Sequence, residues 1–271
     1  MKNLITSFLV VGLMLVISIT AQASPTIFGV DSASQQLVAF DLWTGREIRR
    51  LNLPGGITPT DTKIGLAGSQ NYELYYYNDD VADRQIYVLN SLDASVNRQI
   101  QLGFGEPING LGYEGGTPHG YLYASGCTST DMHRHNAVDG SLSEFWWGGP
   151  YVVGIRDAVG GDDYGRIFAP SPYNSVIYEF NPLDEYWNRA MDTDLSDIVG
   201  MAYDGTYLYA STLNNMVYVL NPDTAAVLHQ TKMDCTFYAL GAATVIPAPS
   251  GIFLSGFGVV LAGWLRRQRT L

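Results

Sequence analysis

One design recurs five times along this chain of 271 residues, and no single copy could bury its apolar side chains alone. Each copy reads as a strand, a turn, a strand of the type I-Y-V-L-N, a polar turn and a third strand. The copies are IFGVDSASQQLVAFDLWTGREIRRL from Ile27, LYYYNDDVADRQIYVLNSLDASVNRQIQL from Leu74 and LYASGCTSTDMHRHNAVDGSLSEFWW from Leu122. The last two are IFAPSPYNSVIYEFNPLDEYWNRAM from Ile167 and LYASTLNNMVYVLNPDTAAVLHQTKM from Leu208. The turn residues Asp41, Asn90, Asn136, Asn181 and Asn221 follow one another at intervals of roughly 40 to 50 residues.

Asn and Asp suit that turn because their side chains cap backbone amides and tolerate tight geometry. Gly45, Gly140, Pro182 and Pro222 occupy the same turn and fix the alignment of the copies. A fourth, glycine-containing strand precedes four of them: IGLAG at Ile64, NGLGY at Asn109, VGIRD at Val153 and VGMAYD at Val199. Small residues there allow close backbone approach, as innermost strands at a crowded axis need. The first copy lacks this strand, and a spare one, ALGAATV from Ala239, follows the fifth. Pairing the spare strand with the first copy closes a ring and removes exposed sheet edges. The expected fold is all-β, a five-bladed β-propeller closed by a C-terminal strand on the N-terminal blade. An open β-solenoid would leave the displaced strand without a role. The repeats resemble those of YVTN-type and WD-type propellers, particularly in the Y-V-L-N-P-D-T turn at Asn221. That likeness implies a fold and no activity.

The two ends are different in kind. Lys2, the apolar run Leu4 to Ile19 and the Ala21-Gln22-Ala23 site read as a signal peptide over residues 1–23. Residues 24–245 then form the propeller domain. Over 246–271, Pro247-Ala248-Pro249 precedes an apolar run from Ile252 to Leu265, then Arg266, Arg267 and Arg269. A helix over that run would be about 21 Å long, shorter than the ~30 Å hydrocarbon core of a bilayer. With arginines behind it, it is still expected to lodge in a membrane as a short transmembrane segment. The arrangement resembles the sorting signal of PEP-CTERM proteins, with Ala248 where that family usually carries Glu. The resemblance implies passage through the Sec translocon, handling by an exosortase-type protease and a transient membrane anchor. Delivery to the cell surface or extracellular polysaccharide matrix would follow.

Charge narrows the partners. All 26 acidic residues lie in the propeller segment, against eleven of the basic ones. A net charge of about −15 repels nucleic acid and anionic headgroups, while suiting divalent cations and neutral glycans. Cys127 and Cys235 lack the spacing of a zinc site, and in an oxidising compartment they would permit one disulfide.

Several residue groups are candidates for chemistry. His133 and His135 stand where other copies carry Tyr87 and Leu89, Tyr178 and Phe180, or Tyr218 and Leu220. Two residues apart on a strand, they share one face, and with Asp131 they would begin a metal site, although no third ligand has diagnostic spacing. Asp79, Asp80 and Asp83 would offer oxygen ligands to Ca²⁺, or simply form a solvated turn. Asp192, Asp194 and Asp197 read the same way. Trp146, Trp147 and Tyr151 flank Gly148-Gly149-Pro150 and would suit sugar stacking, though aromatics in β repeats also serve as core. His119 and His229 have no partner suggested by the sequence. There is no nucleophile elbow, phosphate-binding glycine loop or zinc-protease motif. The expected function is therefore a non-enzymatic exported binding platform. The alternative is a secreted propeller enzyme of glycosidase, lactonase or glutaminyl-cyclase type, which would need polar groups converging in the central channel.

Overall fold

Strands with both faces covered by neighbouring sheets should be buried along their whole length, and the middle strands here are. This computed structural model describes residues 25–31, 33–54, 64–69, 72–78, 85–102, 108–115, 120–126, 132–146, 160–161, 166–171, 175–181 and 186–244. Pro25–Thr244 form one unit. The expected signal peptide and the sorting segment, including Pro247, Ala248, Pro249, Arg266, Arg267 and Arg269, lie outside the described residues.

In chain order the strands are β1 (Pro25–Asp31), β2 (Gln36–Asp41), β3 (Arg46–Asn52), β4 (Ile64–Gly68), β5 (Glu73–Asn78), β6 (Gln85–Asn90) and β7 (Val96–Gln101). Next come β8 (Ile108–Glu114), β9 (Tyr121–Gly126), β10 (Met132–Asn136), β11 (Leu142–Trp146), β12 (Gly160–Gly161), β13 (Ile167–Pro170), β14 (Val176–Asn181) and β15 (Tyr186–Asp192). The last are β16 (Ile198–Tyr203), β17 (Leu208–Thr212), β18 (Met216–Leu220), β19 (Val227–Lys232) and β20 (Phe237–Thr244). They form five four-stranded antiparallel sheets, β20-β1-β2-β3, β4 to β7, β8 to β11, β12 to β15 and β16 to β19, blades 1 to 5 of a five-bladed β-propeller.

The spare strand closes the ring as its sequence implies. β20 pairs with β1 in the register Pro25↔Thr244, Ile27↔Ala242 and Phe28↔Gly241. The innermost strands touch in a cycle, β20 to β4 to β8 to β12 to β16 and back to β20. Small residues permit this. A Cβ on Gly68 would collide with the Ala242 carbonyl, and one on Gly65 would lie 2.8 Å from Leu111 Cβ. In blade 4, Gly161 pairs with Ile167, at the position that Tyr113 and Tyr203 hold in blades 3 and 5. The expected inner strand VGIRD from Val153 lies outside the described residues.

The third-to-fourth-strand turns share one construction. Asn90, Asn136 and Asn221 accept from the amide two residues on, at 2.8 Å each, as Asp41 does from Trp43 at 2.9 Å. The fifth turn residue has positive φ, as glycine at Gly45 and Gly140 but as alanine at Ala94 (57°) and Ala225 (55°). A register shift beside each turn leaves one extra residue on the outer strand of every blade, and such bulges increase local twist.

The core lies between blades. Tyr75 and Val88 of blade 2 meet Leu111 and Leu122 of blade 3. Phe168 and Ile177 of blade 4 meet Met201 and Leu208 of blade 5. Phe40 of blade 1 stacks on Phe237 of β20 at 4.8 Å, and both pack against Val219 of blade 5. At the rim, outer-strand donors latch four of the blades onto the next turn among the described residues. Arg49 donates to the Ser91 carbonyl, Arg98 to Ala137, Arg189 to Asp223 and Thr231 to Leu42.

Candidate functional site

The axis is the first place to look, since a propeller enzyme needs polar groups converging there. Among the described residues the innermost strands carry one carboxylate, Glu114. It is buried and accepts a hydrogen bond of 2.7 Å from the Tyr123 hydroxyl. Burial, then that bond to Glu114, drives the Tyr123 pKa upward. Glu114 is thus engaged within its own blade. The other described residues of the innermost strands are mostly glycine, alanine and other apolar or aromatic residues.

His133 and His135 are both fully buried, on the β10 face that pairs with Ala124 and Leu122. Those two residues belong to the core shared with blade 2, so the imidazoles face that seam. Their ring centroids are 6.2 Å apart. His135 Nδ1 lies 3.1 Å from the Gly140 carbonyl and donates to it, which leaves Nε2 buried without a hydrogen bond. Burial lowers the His135 pKa, and the bond to Gly140 offsets only part of that. No group of three or more His, Cys, Asp or Glu among the described residues is placed to hold a metal ion. Asp131, Asp79, Asp80 and Asp83 lie outside the described residues. Asp192, Asp194 and Asp197 are exposed.

Loops alternate between the two faces of such a ring. The second-to-third-strand loops and the connections between blades share a loop face; the Asn turns and first-to-second-strand loops share a turn face. On the loop face, Asp31 is buried and accepts from Ala33 N (3.1 Å), Ser34 Oγ (2.6 Å) and Arg50 Nη1 (2.9 Å). Burial alone would raise its pKa; the Ser34 hydroxyl and the Arg50 guanidinium outweigh it and hold the carboxyl below 3.8. Cys235 is a free thiol whose pKa is pushed up to about 11 by burial and the adjacent Asp31. Cys127 lies outside the described residues. Trp146 ends β11 opposite Met132, while Trp147 and Tyr151 lie outside the described residues.

The turn face carries a cluster that sequence reasoning missed. Trp43, at the tip of the blade 1 turn, is 56% exposed. Tyr207 of blade 5 meets its ring edge-on at 5.8 Å, and His229 of β19 lies against it at 5.2 Å. Asp204 anchors Tyr207 by accepting from its amide at 2.7 Å and also accepts a hydrogen bond from the Tyr209 hydroxyl. Leu92 and Val138 hold the Trp43 position in blades 2 and 3 and are also exposed. No sequence signal joins Trp43 to His229, because ring closure alone brings them together. Pro25 and Thr244, paired with each other, both lie at this turn face.

No family model matches the chain, and no curated protein matches it. Many solved structures do. A chain of the U3-55K structure is 10% identical with a TM-score of 0.46, over 78% of this chain; this chain spans 65% of that one. A chain of the nidogen/laminin complex is 9% identical with a TM-score of 0.55, over 82% of this chain and 99% of that one. At such an identity the second likeness shows the propeller fold and nothing finer.

Proposed function

We propose that this protein is an exported, non-enzymatic β-propeller, a rigid binding platform at the cell surface or in an extracellular polysaccharide matrix. One observation carries the reading: among the described residues the innermost strands, where propeller catalysis would need convergent carboxylates, carry only Glu114, and it is engaged by Tyr123. A closed ring offers its two faces to partners. The acidic surface suits neutral glycans or divalent cations over polyanions.

Export rests on the A-x-A site before Ser24 and the apolar, arginine-flanked segment after Pro249. Cell fractionation combined with intact-mass measurement tests this reading. The expected result is a membrane or extracellular species lacking residues 1–23. Full-length protein in the cytosol, or turnover of a glycoside, lactone or N-terminal glutamine substrate, overturns it.

A further inference from the structure

We propose that the Trp43 cluster, at the seam between blades 5 and 1, is a binding site for neutral carbohydrate. This rests on the reading of the protein as a binding platform and names a ligand class for one face of it.

The shape comes first. More than half of Trp43 is open to solvent, while Tyr207 meets its ring edge-on and His229 lies tilted against it. The turn beneath is pinned by Trp43 N donating to Asp41 Oδ1 at 2.9 Å and by Thr231 Oγ1 donating to the Leu42 carbonyl at 2.9 Å. A large flat ring with two side-chain torsions, fixed before a ligand arrives, loses little entropy on binding.

The polar groups come next. The indole N–H of Trp43 and the hydroxyl of Tyr207 make no hydrogen bond to the described residues. His229 Nε2 lies 3.1 Å from Thr231 Oγ1. That hydroxyl spends its proton on Leu42, so Nε2 carries the imidazole proton and Nδ1 is left as an acceptor. The indole N–H, the Tyr207 hydroxyl and His229 Nδ1 are thus two donors and an acceptor that the described residues do not use. An aliphatic partner would desolvate these groups without satisfying them, which is costly. An anionic ligand would meet Asp41 and Asp204, which flank the cluster. A sugar ring presents C–H bonds to an aromatic face and hydroxyls at its rim, and so satisfies both parts.

The test is isothermal titration of the full chain, in a detergent without sugar, against neutral hexasaccharides of glucose, mannose, xylose and N-acetylglucosamine. Melting temperatures are read in parallel. At least one hexasaccharide is expected to bind. Trp43→Leu, which installs the residue found at this position in blade 2, should weaken binding at least about tenfold. Tyr207→Phe removes only a hydroxyl unused by the fold. It should weaken binding about threefold or more with the melting temperature unchanged. Binding of none of the four sugars overturns the proposal. So does a Trp43→Leu effect that comes with a melting shift while Tyr207→Phe binds as wild type, since that marks a seam defect. Wild-type affinity in both variants also overturns it, yet leaves the platform reading standing with its site elsewhere. Loss, in Trp43→Leu, of adsorption to phosphatidylcholine vesicles without any sugar binding would assign the cluster to a lipid surface and overturn it as well.

Discussion

Blade 5 is written by one unbroken stretch of chain, whereas blade 1 takes its innermost strand from the far end, and the two are held differently at the same position. Thr212 in blade 5 ends the second strand and bonds within its own loop, to Asn214 Oδ1 at 2.5 Å and the Met216 carbonyl at 3.3 Å. Its counterpart in blade 1 is Asp31. That carboxylate holds Ser34 in its own loop and Arg50 on the outer strand, with the Cys235 thiol of the connection leading into β20 beside it. A hairpin folding on itself needs only a local hydroxyl. A sheet assembled from both ends gains from a buried charge that three segments share, because charge-assisted bonds are about twice as strong as neutral ones.

The sharpest way to break this contrast is at the closure itself. Gly68→Val would drive a branched side chain into the Ala242 backbone, which cannot yield without moving β20. A loss of over about 4 kcal/mol in urea unfolding is expected, with blade 1 opening first by hydrogen exchange. Asp31→Ala should cost about 2–3 kcal/mol, since it strands Ser34 and weakens the hold on Arg50. Thr212→Ala, at the same place in blade 5, should cost about 1 kcal/mol. Equal losses in the two would show that blade 1 carries no special closing device.

Acid sharpens the same comparison. The folded-state pKa of Asp31 lies below 3.8, so its contribution is complete above that value and drains away as the pH falls through the folded pKa. Asp31→Asn should flatten the loss of stability below pH 3.8. His135 acts in a higher window. Its folded pKa lies below 6.5, so the unfolded chain takes up a proton first and stability declines as the pH drops below 6.5. The slope is at most about 1.4 kcal/mol per pH unit. His135→Leu, matching Leu89 and Leu220 in blades 2 and 5, should remove that slope; an unchanged slope would place its origin elsewhere. The smallest effect is at the turns. Ala94→Gly should add about 0.5–1 kcal/mol by relieving positive φ. Gly140→Ala, at the same turn position, should cost more than Ala94→Gly gains, because its Cβ would strike the Gln101 carbonyl.

Much of this was readable from the chain. Asp41, Asn90, Asn136 and Asn221 cap the turns they were expected to cap, and the Ala239 strand closes the blade that lacked one. That His133 and His135 share one strand face also followed from period two. What was missed has a common cause. Asp31 reads as an ordinary loop acid until Arg50 and Cys235 arrive beside it. His229 looked incidental because Trp43 is the other half of its environment.

The sequence by itself determined the repeat, the turns and the count of strands, because capping side chains and alternation act within a few residues. Only the tertiary structure decided which distant side chains meet at the seam of blades 5 and 1. Those contacts form when the ring shuts, and the geometry of shutting is set by backbone packing at the axis, where glycine and alanine leave almost no chemical signature of who their neighbour is.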